Sequence, residues 1–190
     1  MRFSDIVSKD QFKEMFPDRN RLYKYCSLVE ATRRFPAFCN SGNTQRDKFE
    51  AAAFLAQIAH ETGKLVYVEE QNPGSRYIDR NHPHASGRSY HGRGPIQLSW
   101  NYNYAAASQT LYNDNTLLND PDLVAEDGEI AFKTALWFWM LSDGGRGTCH
   151  EAMANSNFDR TTEIINSIDT DAQKEHRRKY YRKFRQILGA

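Results

Sequence analysis

The sequence predicts a mainly α-helical domain with at most a minor sheet, and three observations carry that prediction. The segment Phe49–His60 is apolar on nearly every face, the pattern of a helix buried all round. Glu129–Met140 repeats it, with Phe132, Leu136, Trp137, Phe138 and Trp139. Strand alternation is scarce, Leu65–Glu69 being the best candidate. A chain of 190 residues, 39% hydrophobic and 13% aromatic, suffices for one well-cored domain and is short for two. With no repeat, low-complexity tract or linker, residues 1–190 read as a single domain.

Taken in order, Asp10–Phe16 reads as a short helix stopped by Pro17. Arg21–Phe35 places Leu22, Tyr25, Leu28 and Val29 at helical spacing and is closed by Pro36. Thr44-x-x-Asp47 resembles a capping box ahead of the buried Phe49–His60 helix, and Gly63 supplies its stop. Residues from about Gln71 to Pro95, rich in Gly, Pro, Asn, Ser and His, read as irregular. Gly144-Gly145 follows the second buried helix. The last helix, Ala172–Leu188, lines up Tyr180, Phe184, Ile187 and Leu188 on one face.

Lys and Arg number 25 against 24 Asp and Glu, a net charge of +1. That balance argues against a nucleic-acid or membrane-surface binder. No stretch approaches the roughly 20 apolar residues that span a bilayer. Residues Met1–Asp10 hold no apolar core of signal-peptide length, so any export route is left open. Of the three cysteines, Cys26 and Cys39 are the nearest candidates for a disulfide; a chain without cystine fits equally well.

The run Tyr90–Tyr104 carries the most chemistry. Gly92, Gly94 and Pro95 impose an irregular backbone, and Gln97, Ser99, Asn101 and Asn103 alternate with Trp100, Tyr102 and Tyr104. Amides and hydroxyls among flat aromatic faces suit a sugar, though a buried loop with satisfied amides would use the same residues. Glu61 ends the buried helix just before Thr62-Gly63. The negative end of the helix dipole and an apolar wall would raise its pKa, as a general acid requires; an exposed glutamate at a frayed helix end is the plain alternative. Glu70 follows nine residues later, and Glu69 beside it points the other way if the segment is extended. Two carboxylates on different elements are the equipment of glycoside hydrolysis.

Other chemistries find little support. His60-Glu61-Thr62-Gly63-Lys64 starts like a zinc-protease motif but has Lys64 where the second histidine belongs. His82, His84 and His91 cluster far from any cysteine. No phosphate loop or Gly-x-Ser-x-Gly elbow is present. No metal or cofactor is therefore expected. The basic run Lys174, Arg177, Arg178, Lys179, Arg182, Lys183 and Arg185 reads as a solvated helix face, with nucleic acid or an anionic cell-wall polymer as the minority reading.

These segments resemble family 19 glycoside hydrolases, in particular the chitinase branch and its bacterial members. The resemblance is carried by Phe54-Leu55-Ala56-Gln57-Ile58-Ala59-His60-Glu61-Thr62-Gly63, by Tyr90–Tyr104, and by the aromatic stretch Ile130–Met140. Phe35-Pro36-Ala37-Phe38 and Tyr180–Gly189 fit the family's beginning and end, so nearly the whole chain is covered. The resemblance implies a lysozyme-like, two-lobed helical fold around a deep cleft. It also implies endo-acting hydrolysis of β-1,4 bonds between N-acetylglucosamine units, with inversion. Glu61 would be the general acid and Glu70 the base that activates water, with the carboxyls about 6.5–9.5 Å apart. Gln97, Ser99, Tyr102 and Asn103 would line the cleft, Ser99 also orienting the water, with His60 supporting the wall. Thr62, Tyr90, Trp100, Arg146 and Asn166 complete the expected sugar-binding set. Arg177 would reach back toward the acid and oppose its pKa rise.

The chain also departs from the family pattern. Asn166 is followed by Ser167-Ile168-Asp169 where the family has a glycine-rich loop and a Glu-Cys pair, so Asp169 in the usual glutamate's place and the C-terminal disulfide are open questions. Lys64 stands where a second glycine is common. The loops that lengthen the cleft in plant members are absent, implying a shorter site. The expected partner is chitin or a chito-oligosaccharide, met outside the cell by a monomeric enzyme. Peptidoglycan is the alternative substrate, and a silent chitin-binding protein ranks last because both carboxylates are present.

Overall fold

A computed structural model of the protein describes residues 2–142 and 144–190. The elements among them are helices: α1 (Phe3–Ile6), α2 (Lys9–Met15), α3 (Tyr25–Thr32), α4 (Thr44–Glu61), α5 (Asn101–Tyr112), α6 (Thr116–Asn119), α7 (Leu123–Glu126), α8 (Gly128–Leu141), α9 (Cys149–Ala154), α10 (Phe158–Ile165) and α11 (Asp171–Leu188). The core forms around α4 and α8, with α11 lying along α4 and α3 along α8. In α4 every residue from Ala51 to Ala59 is buried, as its all-round apolar pattern requires.

Three local expectations shift. The cap of α4 is Asn43, whose side chain accepts from the Gln45 and Arg46 amides. Asp47 turns inward instead and takes the Ser41 amide at 2.7 Å, so the capping box at Thr44 does not form. The helix expected over Arg21–Phe35 shrinks to α3. Before it, Asn20 accepts from the Leu22 amide at 3.0 Å and makes a turn. After it, the amides of Arg33, Arg34 and Phe35 bond three residues back and tighten the chain. The candidate strand Leu65–Glu69 begins inside a turn that runs to Val66, where Lys64 and Leu65 both have positive φ, 64° and 61°, and pairs only at Glu69. The minor sheet reduces to two isolated bridges among the described residues, Glu69 with Arg93 and Arg93 with Leu98.

The irregular stretch before α5 is held by one side chain. Buried Asn101 accepts from the Asp79 amide at 2.8 Å and donates to the carbonyls of Asp79, His82 and Pro83 at 3.0–3.1 Å. Asn101 is thus a loop anchor rather than a sugar contact. At the start of α8, a Cβ on Gly128 would collide with the Leu22 carbonyl oxygen, so only glycine fits there. Cys26, Cys39 and Cys149 are all free, the first exposed and the others buried. The expected Cys26–Cys39 pairing gives way to the cystine-free alternative. No described helix is long and apolar enough to cross a membrane.

Candidate active site

The C-terminus of α4 meets α11 in a buried polar network. Arg177, 1% exposed, spreads its guanidinium over three acceptors. Its Nε donates to Asp169 Oδ2 at 2.7 Å and its Nη1 to Gln57 Oε1 at 2.7 Å. Its Nη2 lies 2.5 Å from Glu61 Oε1. That last contact is a close charge pair, and it gives Glu61 Oε1 a cationic neighbour. Gln57 in turn donates to Thr161 and Thr162 on α10 at 2.7 and 2.9 Å. Asn166 donates to Asp169 Oδ1 at 2.6 Å, so the Asp169 carboxylate joins Asn166 to Arg177.

Two opposing causes act on the Glu61 carboxyl. Burial raises its pKa most, the Arg177 charge and contact lower it, and Asp169 raises it again; the net direction is upward. His60 lies beside this group, its Nδ1 3.1 Å from His176 Nδ1. Burial first, then Arg177, bring the His60 pKa down to about 4.

Glu70 belongs to a second group, set by residues 90–104 and the loop before them. Tyr77 Oη donates to Glu70 Oε1 at 2.7 Å, and the Gly92 amide donates to Oε2 at 3.2 Å. The Glu70 amide returns a bond to the Gly92 carbonyl at 2.8 Å. Glu69 faces elsewhere, contacting His91 Nε2 at 3.1 Å and Arg93 Nε at 3.2 Å. The neighbours thus point to different partners, as an extended backbone dictates.

The aromatic part of the run forms a surface. Trp100, 38% exposed, stacks on Tyr102 at 5.9 Å and 16° and meets Tyr77 edge-on at 5.4 Å. Ser99 Oγ donates to the Gln97 carbonyl, Gln97 Nε2 to the Gly94 carbonyl and Asn103 Nδ2 to the Ser99 carbonyl, all within 3.0 Å. These polar groups brace one another and keep lone pairs to spare. Arg146 donates to the Glu163 carbonyl at 3.2 Å, and its charge opposes the burial that raises the Tyr102 pKa.

Two expected sugar contacts are corrected. Thr62 is fully buried; its hydroxyl donates to the Ile58 carbonyl at 2.6 Å and accepts from the Leu65 amide at 2.7 Å, sealing the end of α4. Tyr90 is also fully buried, its hydroxyl bridging the Leu118 carbonyl and the Ala85 amide at 2.9 and 2.7 Å. Arg177 does not belong to a solvated basic face either, because it points into the core. Among the described residues no group of three or more His, Cys, Asp or Glu stands where it could hold a metal ion. Sequence reasoning missed Gln57, Tyr77 and His176. Gln57 lies four residues before Glu61 and so shares its helix face, a signal that could have found it. Tyr77, in an aperiodic stretch, gave none.

The chain matches known proteins over its length. The model of the family 19 glycoside hydrolases, described as class I chitinase, matches residues 6–190. Chitinase 10 of Oryza sativa subsp. japonica is 38% identical over an alignment covering 98% of this chain and 78% of the rice protein. A solved bacterial family 19 chitinase is 44% identical and superposes with a TM-score of 0.90, covering 97% of this chain and 96% of that one. Chitinase C from Streptomyces griseus HUT6037 is 41% identical with a TM-score of 0.90, over 97% and 93% of the two chains.

Proposed function

The chain belongs to the family 19 chitinases, and from that premise we propose that it is an endo-acting, inverting chitinase with Glu61 as general acid and Glu70 as general base. The observation that supports this most is the contrast between the two carboxyls. Glu61 is mostly withdrawn from solvent, its side chain 17% exposed, with its pKa raised and Arg177 as its partner. Glu70 is held by a tyrosine hydroxyl and a backbone amide that favour an acceptor. Environments that separate two carboxyls in this way assign acid and base.

In this reading the sugar chain lies against Trp100 and Tyr102, whose parallel rings offer a flat apolar wall. Gln97, Ser99 and Asn103 supply polar partners along it. Glu61 gives its proton to the glycosidic oxygen as the bond to the anomeric carbon breaks. Arg177 and Asp169 hold the carboxyl in place, and Arg177 stabilises the carboxylate left behind. Water attacks the anomeric carbon from the opposite face and passes a proton to Glu70, which inverts the configuration. We place this work outside the cell that makes the protein, where chitin is met.

Proton NMR of chitin hexamer during the first minutes of hydrolysis tests the reading. The α-anomer should appear first at the new reducing ends, whereas β-anomer first would mean retention and remove Glu70 from its role. Purified peptidoglycan assayed alongside should stay intact while the hexamer is cleaved; clearing of peptidoglycan alone would reverse the choice of substrate.

A further inference from the structure

We propose that Tyr77 is a positioning residue for the base: its hydroxyl, donated to Glu70, fixes the carboxylate for the attacking water. The proposal rests on the reading of Glu70 as base. Tyr77 Oη holds Oε1 at 2.7 Å and the Gly92 amide holds Oε2 at 3.2 Å. An ionised carboxylate offers about four acceptor positions, so two donors orient it and leave room for a water. Glu69, next in the chain, is occupied by His91 and Arg93 and does not compete for the hydroxyl.

The backbone indicates that this side chain is retained for its reach. Tyr77 has φ +50°, in the left-handed region that glycine or asparagine enters at far less cost than a bulky residue. It is kept there by Ser75 Oγ, which accepts the Tyr77 amide at 3.1 Å, and by the Asn101 amide, which donates to the Tyr77 carbonyl at 3.2 Å. Trp100 closes on the ring edge-on at 5.4 Å. A sugar stacked on exposed Trp100 would therefore steady the phenol that steadies the base. The hydrogen bond to Glu70, then burial and the Glu70 charge, raise the Tyr77 pKa, so the phenol stays a donor through neutral pH. Strained residues held by their surroundings concentrate at functional sites, and this one is held in contact with a carboxylate.

Tyr77→Phe removes the hydroxyl and keeps the ring, so the Trp100 contact and the fold survive. The expected result is a fall in kcat of about tenfold to a hundredfold, the cost of a misplaced reacting group. KM should stay within about twofold. Unchanged kcat, or a loss carried by KM instead, would overturn the proposal and make Tyr77 a wall residue. Glu70→Gln, measured in parallel, separates the two ideas. If it is inactive while Tyr77→Phe is normal, Tyr77 alone loses its role. If it stays active, Glu70 is not the base and the proposal goes with it.

Discussion

Helix α4 carries two inward glutamates, Glu50 and Glu61, eleven residues apart and so on nearly the same face. Glu50 faces three donors: the Cys39 amide at 3.0 Å, Trp139 Nε1 at 3.0 Å and His150 Nδ1 at 2.6 Å. Glu61 has Arg177 beside it as its partner. Each glutamate also has a histidine nearby, and the two are shifted in opposite senses. Glu50 raises the pKa of His150 through its hydrogen bond, whereas burial and Arg177 lower that of His60 to about 4. A carboxylate held by several fixed donors joins elements of the fold. One with fewer donors can still exchange a proton, and the same helix supplies both kinds.

The strongest way to break this comparison is Glu61→Gln. Chitin-hexamer hydrolysis should fall by about 10²–10⁴-fold, the usual worth of a general acid, with the melting temperature nearly unchanged. Turnover near wild type would make Glu61 a second Glu50. The reverse substitution, Glu50→Ala, leaves two buried donors and the half-buried His150 without an acceptor and should cost about 3 kcal/mol in urea unfolding, while the folded fraction keeps its specific activity. Loss of activity without loss of stability would place Glu50 in the site.

A subtler separation comes from the histidines. The folded pKa of His60 lies below its unfolded value of about 6.5, so its contribution is fully present above that pH and is lost as pH falls through about 4. His150, shifted upward, contributes below about pH 6.5 and loses that contribution as pH rises through its folded pKa. Melting temperatures across this range should therefore slope less steeply at acid pH in His60→Gln and less steeply at neutral pH in His150→Gln. Identical slopes in both variants would erase the distinction between the two ends of α4.

What the sequence made legible follows from periodicity. The buried helices α4 and α8 were readable because a helix apolar on every face is stable only when the core surrounds it, and Glu61 was readable because it ends one of them. Thr62 and Tyr90 were misplaced because a motif gives residue types without saying which way each points; both face the core. The turn at Lys64–Leu65 left one trace, Lys64 standing where the family commonly has a glycine; nothing in Leu65 signals its positive φ. Indeed, six of the nine non-glycine residues with positive φ among those described run from Lys64 to Trp100, the stretch between the end of α4 and the start of α5. Sequence rules weaken where the backbone is strained, and the residues proposed for the chemistry flank or lie within this stretch.

The three free cysteines have a practical consequence. Cys39 and Cys149 are buried with raised thiol pKa values, which suppresses the thiolate needed for alkylation or exchange. Cys26 alone of the three reaches the surface, on α3. With no cystine among them, reducing agents leave the covalent structure intact. A single maleimide fluorophore or surface tether at Cys26 would then mark each molecule once, so that individual enzymes could be followed along a chitin fibre.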